Sequence, residues 1–264
     1  MIAPRTAPVR RRAVRLTALA LAACLPLAVS GCGEEQAGAG GGKAGQPRTA
    51  ADTATGKAAT DGMGRADGPA AAVPIGRGFD FYVLSLSWSP TWCMDNDTSG
   101  RSEQCRTGRD AGFIVHGLWP QNERGHPEFC RTREPDRVPS SLGRAYLDII
   151  PSMGLIGHQW RKHGSCSGLS QADYLAVARA AFERIDLPEA IEDGGSRRLD
   201  PADIEASLVA ANPGLGKRGI AVTCDDGRLD EIRICLTPGL DFRDCPEVDR
   251  AACRARTITQ PPVR

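Results

Sequence analysis

The sequence predicts an α+β domain spanning residues 75–264, stapled by disulfides. Three observations predict it. Strand-like segments stand at both ends of this stretch and helical segments lie between them, unlike the alternation of repeated βαβ units. Two of the strands are joined by a hairpin signal, Asp225-Asp226-Gly227. Eight cysteines fall in the stretch, an even number, behind what reads as an export signal.

Residues 79–88, FDFYVLSLSW, are rich in aromatic and β-branched side chains, which favours a strand. Phe113-Ile114-Val115 is a second short strand leading directly into His116. Residues 142–150 have a helical pattern, with Ser140 or Ser141 as cap and Pro151 as stop. Ser170-Gln171-Ala172-Asp173 is a capping box ahead of a helix that reaches Ile185. Asp200-Pro201-Ala202-Asp203 starts another helix, stopped by Asn212-Pro213-Gly214. Residues 220–224 and 229–236 are the two strands of the hairpin. No internal repeat interrupts this order, and the 190 residues suffice for one sizeable core.

The chain has 264 residues, 33 of them Lys or Arg and 32 Asp or Glu. That balance hides an asymmetry. Residues 1–31 carry five Arg and no acid, so the remainder holds 28 basic and 32 acidic residues. Residues 75–264 hold 24 basic and 27 acidic residues, which excludes a strongly basic protein that coats long duplexes by phosphate attraction.

The first 31 residues read as a lipoprotein signal peptide. A basic segment with Arg5, Arg10, Arg11, Arg12 and Arg15 precedes an apolar run over residues 16–29. The run is shorter than the ~20 residues that a spanning helix needs. It ends in Val29-Ser30-Gly31-Cys32, which resembles a bacterial lipobox with Cys32 as the lipidated residue. An ordinary cleavable signal with an incidental cysteine is the competing reading. Residues 33–74 contain ten Gly, twelve Ala and no aromatics, too little side-chain area to offset chain entropy. Residues 32–74 therefore read as a lipidated cysteine and a disordered tether. The expected location is the bacterial envelope, membrane-attached through the lipid alone. The domain would face the periplasm or the outside, with full secretion as the variant.

Beyond Cys24 and Cys32, the cysteines are Cys93, Cys105, Cys130, Cys166, Cys224, Cys235, Cys245 and Cys253. In an oxidising compartment four disulfides are the natural outcome, although spacing alone leaves 105 connectivities. Structural zinc is the competitor, and it lacks a C-x-x-C pair or histidines at finger spacing.

Four histidines occur in the whole chain: His116, His126, His158 and His163. His158 and His163 bracket HQWRKH, which also holds Lys162. Two imidazoles and an ammonium suit phosphoryl transfer. One imidazole takes a proton and the other gives one, while the ammonium meets charge growing on phosphoryl oxygens. Such a set also arises in structural loops. A metal hydrolase is the third reading. His158 and His163 are five residues apart, H-E-x-x-H is absent and the acids are not clustered for a two-metal site. No cofactor and no metal are expected.

FIVHGLWPQ (residues 113–121) and HQWRKHGSC (residues 158–166) resemble the two active-site segments of the ribonuclease T2 family, acid, base-nonspecific endoribonucleases. LSLSWSPTWC (residues 84–93) and EIRICL with DFRDCP (residues 231–246) extend the resemblance across nearly the whole domain. It implies an antiparallel central sheet flanked by helices. It also implies cleavage of single-stranded RNA without metal, by attack of the ribose 2′-oxygen to leave a 2′,3′-cyclic phosphate. By motif, His163 is the general base, His116 the general acid, His158 a phosphate ligand and Lys162 the transition-state cation. Trp119 stacks on a base, a sequence-tolerant form of recognition. Gln121 stands where many members have an Asp that contacts that base. The implied disulfides are Cys130–Cys166, Cys235–Cys245 inside Cys224–Cys253, and Cys93–Cys105. A monomer is expected.

One position departs from the family. Most members read His-Glu-Trp where this chain has His158-Gln159-Trp160. Glutamine hydrogen-bonds but does not carry charge or exchange a proton easily. Lower turnover is expected, and a catalytically weak or inactive RNA- or protein-binding relative is the competing function, ahead of a structural envelope lipoprotein. His126, in a turn-rich segment, reads as surface. Trp88, Trp92 and Trp160 read as core or as braces of the site.

Overall fold

The computed structural model describes residues 73–263; the signal peptide, Cys32 and all but the last two residues of the tether lie outside them. The chain runs β1 (Phe81–Trp88), α1 (Ser89–Asn96), β2 (Phe113–Gln121), α2 (Ser140–Gly143), α3 (Met153–Lys162), α4 (Gln171–Glu183), α5 (Glu189–Glu192), β3 (Arg197–Leu199), α6 (Pro201–Ala211), β4 (Ile220–Asp225), β5 (Arg228–Leu236), α7 (Pro246–Asp249) and β6 (Ile258–Gln260). The strands form one sheet in the order β2-β1-β5-β6-β3, with β4 also pairing β5. Pairing is antiparallel except between β5 and β6. No helix among the described residues is long and apolar enough to cross a membrane.

Central β1 is buried along its whole length because both faces are covered. One face carries Tyr82, Leu84 and Leu86 opposite Leu236, Ile234 and Ile232 of β5. With Ile156, Trp160, Tyr174, Leu175, Ile204 and Leu208 from α3, α4 and α6, these make the main core. Apolar burial on this scale drives the fold. The other face carries Val83, Ser85 and Ser87 of β1, beside Cys235, Arg233 and Glu231 of β5. Serines and charges on a central strand mark this as the working face.

Two of the three expected caps hold; at α2 neither Ser140 nor Ser141 caps, because Pro139 is the N-cap and no side chain bonds there. Ser170 Oγ accepts from Asp173 N at 3.1 Å, and Asp200 caps α6 through Ala202 N at 2.9 Å. The hairpin turns through Asp226 (φ 45°) and Gly227 (φ 71°), the two positive angles of a type I′ turn. All four disulfides join as the resemblance implied: Cys93–Cys105, Cys130–Cys166, Cys224–Cys253 and Cys235–Cys245.

Two elements differ from expectation. Residues 142–150 do not form one helix; α2 ends at Gly143, a 3-10 turn covers Arg144–Tyr146, and Ile149 and Ile150 turn into the core. The Ile149 carbonyl accepts from Val115 N at 2.9 Å, so that backbone group serves β2 rather than a continuing helix. The strand expected at residues 113–115 instead continues to Gln121, placing His116 inside it. Trp88 and Trp160 are core, but Trp92 is exposed.

Candidate active site

His116 occupies a β-bulge. Along the β1–β2 ladder Ser85 faces Gly117 and Leu86 faces Val115, leaving His116 without a partner. In a regular strand, residues three apart point to opposite faces. The bulge corrects the parity, so His116 joins Trp119 and Gln121 on the working face with Val83, Arg233 and Glu231.

The second segment arrives on α3. Ser152 caps it by accepting from Leu155 N at 3.0 Å. The helix was not legible as one, because two glycines and a polar end blur its apolar stripe. His158, Gln159 and Lys162 lie in its last turns, and His163 is the C-cap with φ −119°. His163 keeps the helical bond from its N–H to the Gln159 carbonyl at 2.9 Å, and despite the five-residue spacing His158 and His163 line the same pocket. His116, Trp119, Gln121, His158, Gln159, Lys162 and His163 all line one pocket of about 290 Å³.

The two principal imidazoles have unlike surroundings. His163 is buried, and its Nδ1 is enclosed without a hydrogen-bond partner. Burial, with the Lys162 charge adding to it, pushes its pKa down to about 3, so the ring is neutral over most of the pH range. The His116 side chain is 36% exposed, and its Nδ1 lies 2.5 Å from Oε1 of Glu231. Burial opposes ionisation of Glu231, yet His116 and Arg233 hold its pKa down at about 2. Partial desolvation, with Lys162 and Arg161 nearby, lowers the pKa of exposed His158.

Trp119 sits among these groups. Its ring centroid is 5.4 Å from that of His163, in a stacked arrangement, and 5.4 Å from that of His116, edge-on. The Arg233 guanidinium lies 5.5 Å over it. Its Nε1 donates to Gln159 Oε1 at 2.9 Å. Gln159 is thus buried and fixed by the indole, and the contact crosses β2 only because residue 117 is glycine. Gln121 lines the pocket rim with its Nε2 donating to the Pro120 carbonyl.

Sequence reasoning passed over Glu231, Arg233 and Glu128. Glu128 Oε1 is 3.1 Å from both Lys162 Nζ and His126 Nε2, and hydrogen bonding from Lys162 lowers its pKa. His126 is exposed as expected, yet it lines the same pocket. Cys130–Cys166 ties this loop to the end of α3. Glu231 did lie within a segment that carried the resemblance, but its partner is 115 residues away.

The model of the Ribonuclease T2 family matches residues 79–245. A ribonuclease of Aeromonas hydrophila is 42% identical over 133 residues, covering 50% of this chain and 53% of that protein. A probable ribonuclease of Haemophilus influenzae is 38% identical over 121 residues, covering 41% of this chain and 44% of that protein. The chain thus spans about half the length of these curated relatives. The fold is similar to that of RNase NT, solved in complex with 5′-AMP, at a TM-score of 0.58 and 22% identity over 70% of this chain and 100% of that one. With the match to its model covering more than half of the sequence, the chain belongs to the ribonuclease T2 family.

Proposed function

We propose that the protein is an endoribonuclease that cleaves single-stranded RNA by metal-free transphosphorylation, with low base specificity. The observation that carries this is a pocket lined by two unlike histidines, one held neutral by burial and one partly exposed with a carboxylate on its far nitrogen. The 2′-oxygen of the substrate attacks phosphorus and its proton passes to Nε2 of His163. His116 donates a proton from Nε2 to the departing 5′-oxygen as the P–O5′ bond breaks. Lys162 exchanges Glu128 for the phosphoryl oxygens, and His158 holds the phosphate. Trp119 offers aromatic surface to a base, with Gln121 at the rim. The 2′,3′-cyclic phosphate is then slowly hydrolysed by the same pair in reversed roles. The chain acts as a monomer, on a lipid at Cys32, in the bacterial envelope.

The test is digestion of single-stranded RNA in excess EDTA by the oxidised chain, beside His116→Ala and His163→Ala. Wild type should cleave, and each variant should lose about 10²–10⁴-fold. Cleavage abolished by EDTA and restored by a divalent ion would overturn the metal-free route. A folded wild type without cleavage at any pH would leave binding as the function.

A further inference from the structure

We propose that Glu231 is a positioning residue for His116, gripping the imidazole by Nδ1 so that Nε2 delivers its proton to the leaving oxygen. The proposal deepens the functional reading above and rests on it.

The grip is short and the holder is fixed. Oε1 of Glu231 lies 2.5 Å from His116 Nδ1. The Glu231 side chain is 6% exposed, against 36% for the ring it holds. Each carboxylate oxygen is occupied. Oε1 also accepts from Ser87 Oγ at 3.1 Å, while Oε2 accepts from Arg233 Nε at 2.8 Å and meets Nη2 at 2.7 Å. The Glu231 backbone N–H donates to Thr223 Oγ1 at 3.0 Å. A carboxylate bound on both oxygens does not rotate, and a carboxylate so buried is tolerable only with opposite charge beside it.

The register explains the meeting. Glu231 pairs with Ser87, and Ser87 pairs with Ile114, so the row containing Glu231 reaches β2 just beside the bulge. The bulge swings His116 onto this face next to that row. His163 receives no such partner. The asymmetry suits a donor that must present one Nε2 proton and a base that must stay neutral. When His116 gives up that proton, Nδ1–H remains on Glu231, so no proton is left over.

Glu231→Gln tests this in the full-length, oxidised chain, with two substrates. A dinucleoside phosphate has an alkoxide leaving group that needs a proton. A 4-nitrophenyl ester of a nucleoside 3′-phosphate has a leaving group that departs without one. In Glu231→Gln, kcat on the dinucleoside phosphate should fall about 10- to 100-fold with KM little changed, and the ester should react nearly as fast as with wild type. On a His116→Ala background, Glu231→Gln should add nothing, as expected of groups acting through one another. Glu231→Asp serves as the second variant and should recover part of the rate. Equal losses on both substrates would reduce Glu231 to a structural ion pair, and an unchanged rate on the dinucleoside phosphate would also overturn the proposal. A separate readout is the downfield proton of a short Nδ1–H···O contact, assigned to His116 by nitrogen labelling. It should be present in wild type and absent in Glu231→Gln, and its absence from wild type would sink the proposal. A wild type that shows this proton but does not cleave RNA would defeat the functional reading while leaving the His116–Glu231 contact standing.

Discussion

Gly117→Ala is the smallest change that should uncouple the pocket from the sheet. A Cβ at residue 117 would lie 2.7 Å from Gln159 Cδ, and closer still to Gln159 Oε1 and Trp119 Nε1. Those last two atoms are joined by a 2.9 Å hydrogen bond, so the methyl group and the bond cannot coexist. Losing the bond costs about 0.5–1.5 kcal/mol, and moving packed side chains adds about 1–3 kcal/mol. A combined loss near 3 kcal/mol lowers Tm by about 6–12 °C in a domain of this size. The catalytic effect should be larger than stability alone would give. Trp119 stacks against His163, and a shift of about 1 Å in a reacting group can cost about 10²-fold in rate. The assay is kcat on single-stranded RNA well below the variant's Tm, with thermal unfolding of the same preparation. A lowered Tm with wild-type kcat would refute the claim that the indole–glutamine link holds the site. Wild-type values of both would refute the packing argument itself.

Four further outcomes are expected. Gln159→Glu keeps an oxygen for the indole and adds a group that carries charge, so turnover should rise by roughly tenfold or less; a rate no higher at any pH contradicts the expectation that Gln159 lowers turnover. As the proposed general base His163 must be neutral, and its pKa of about 3 lies below the ordinary 6.5, so the acid limb of kcat/KM should fall near pH 3; a limb at pH 6 or above contradicts that role. The same depression makes the unfolded chain bind more protons between these values, so stability from this group is full above pH 6.5 and is lost as pH falls toward 3, read by denaturant unfolding across that window. Replacing Cys130 and Cys166 by serine should cost about 2–4 kcal/mol and weaken activity further by freeing the loop that carries Glu128 from the end of α3; calorimetry and KM measured together check both parts.

Local signals were the legible ones. The Asp226-Gly227 turn, the Ser170 and Asp200 caps and the cluster around His158 and His163 depend on neighbours a few residues away, and the sequence displays them. The residue types at the site were legible for the same reason, since their motifs are contiguous. The His116 bulge was not, because a bulge is a property of register against β1 and not of β2 alone. Glu231 was hidden by its separation from His116, and by standing on a strand whose alternation reads as ordinary. Helix α3 was missed because Gly154 and Gly157 lower its propensity, while burial of Ile156 and Trp160 against the sheet restores it. The helix expected at residues 142–150 failed in the opposite sense, with the bond from Val115 of β2 to the Ile149 carbonyl and the burial of Ile149 and Ile150 outweighing local pattern.

The central claim is that the substrate supplies its own nucleophile. The direct measurement is cleavage of a fully 2′-O-methylated oligonucleotide that carries a single free 2′-hydroxyl, with product ends read by mass. One cut is predicted, immediately 3′ of that nucleotide, leaving a 2′,3′-cyclic phosphate. Cleavage elsewhere in the strand, or a first product whose terminal phosphate already carries oxygen from labelled water, would contradict it.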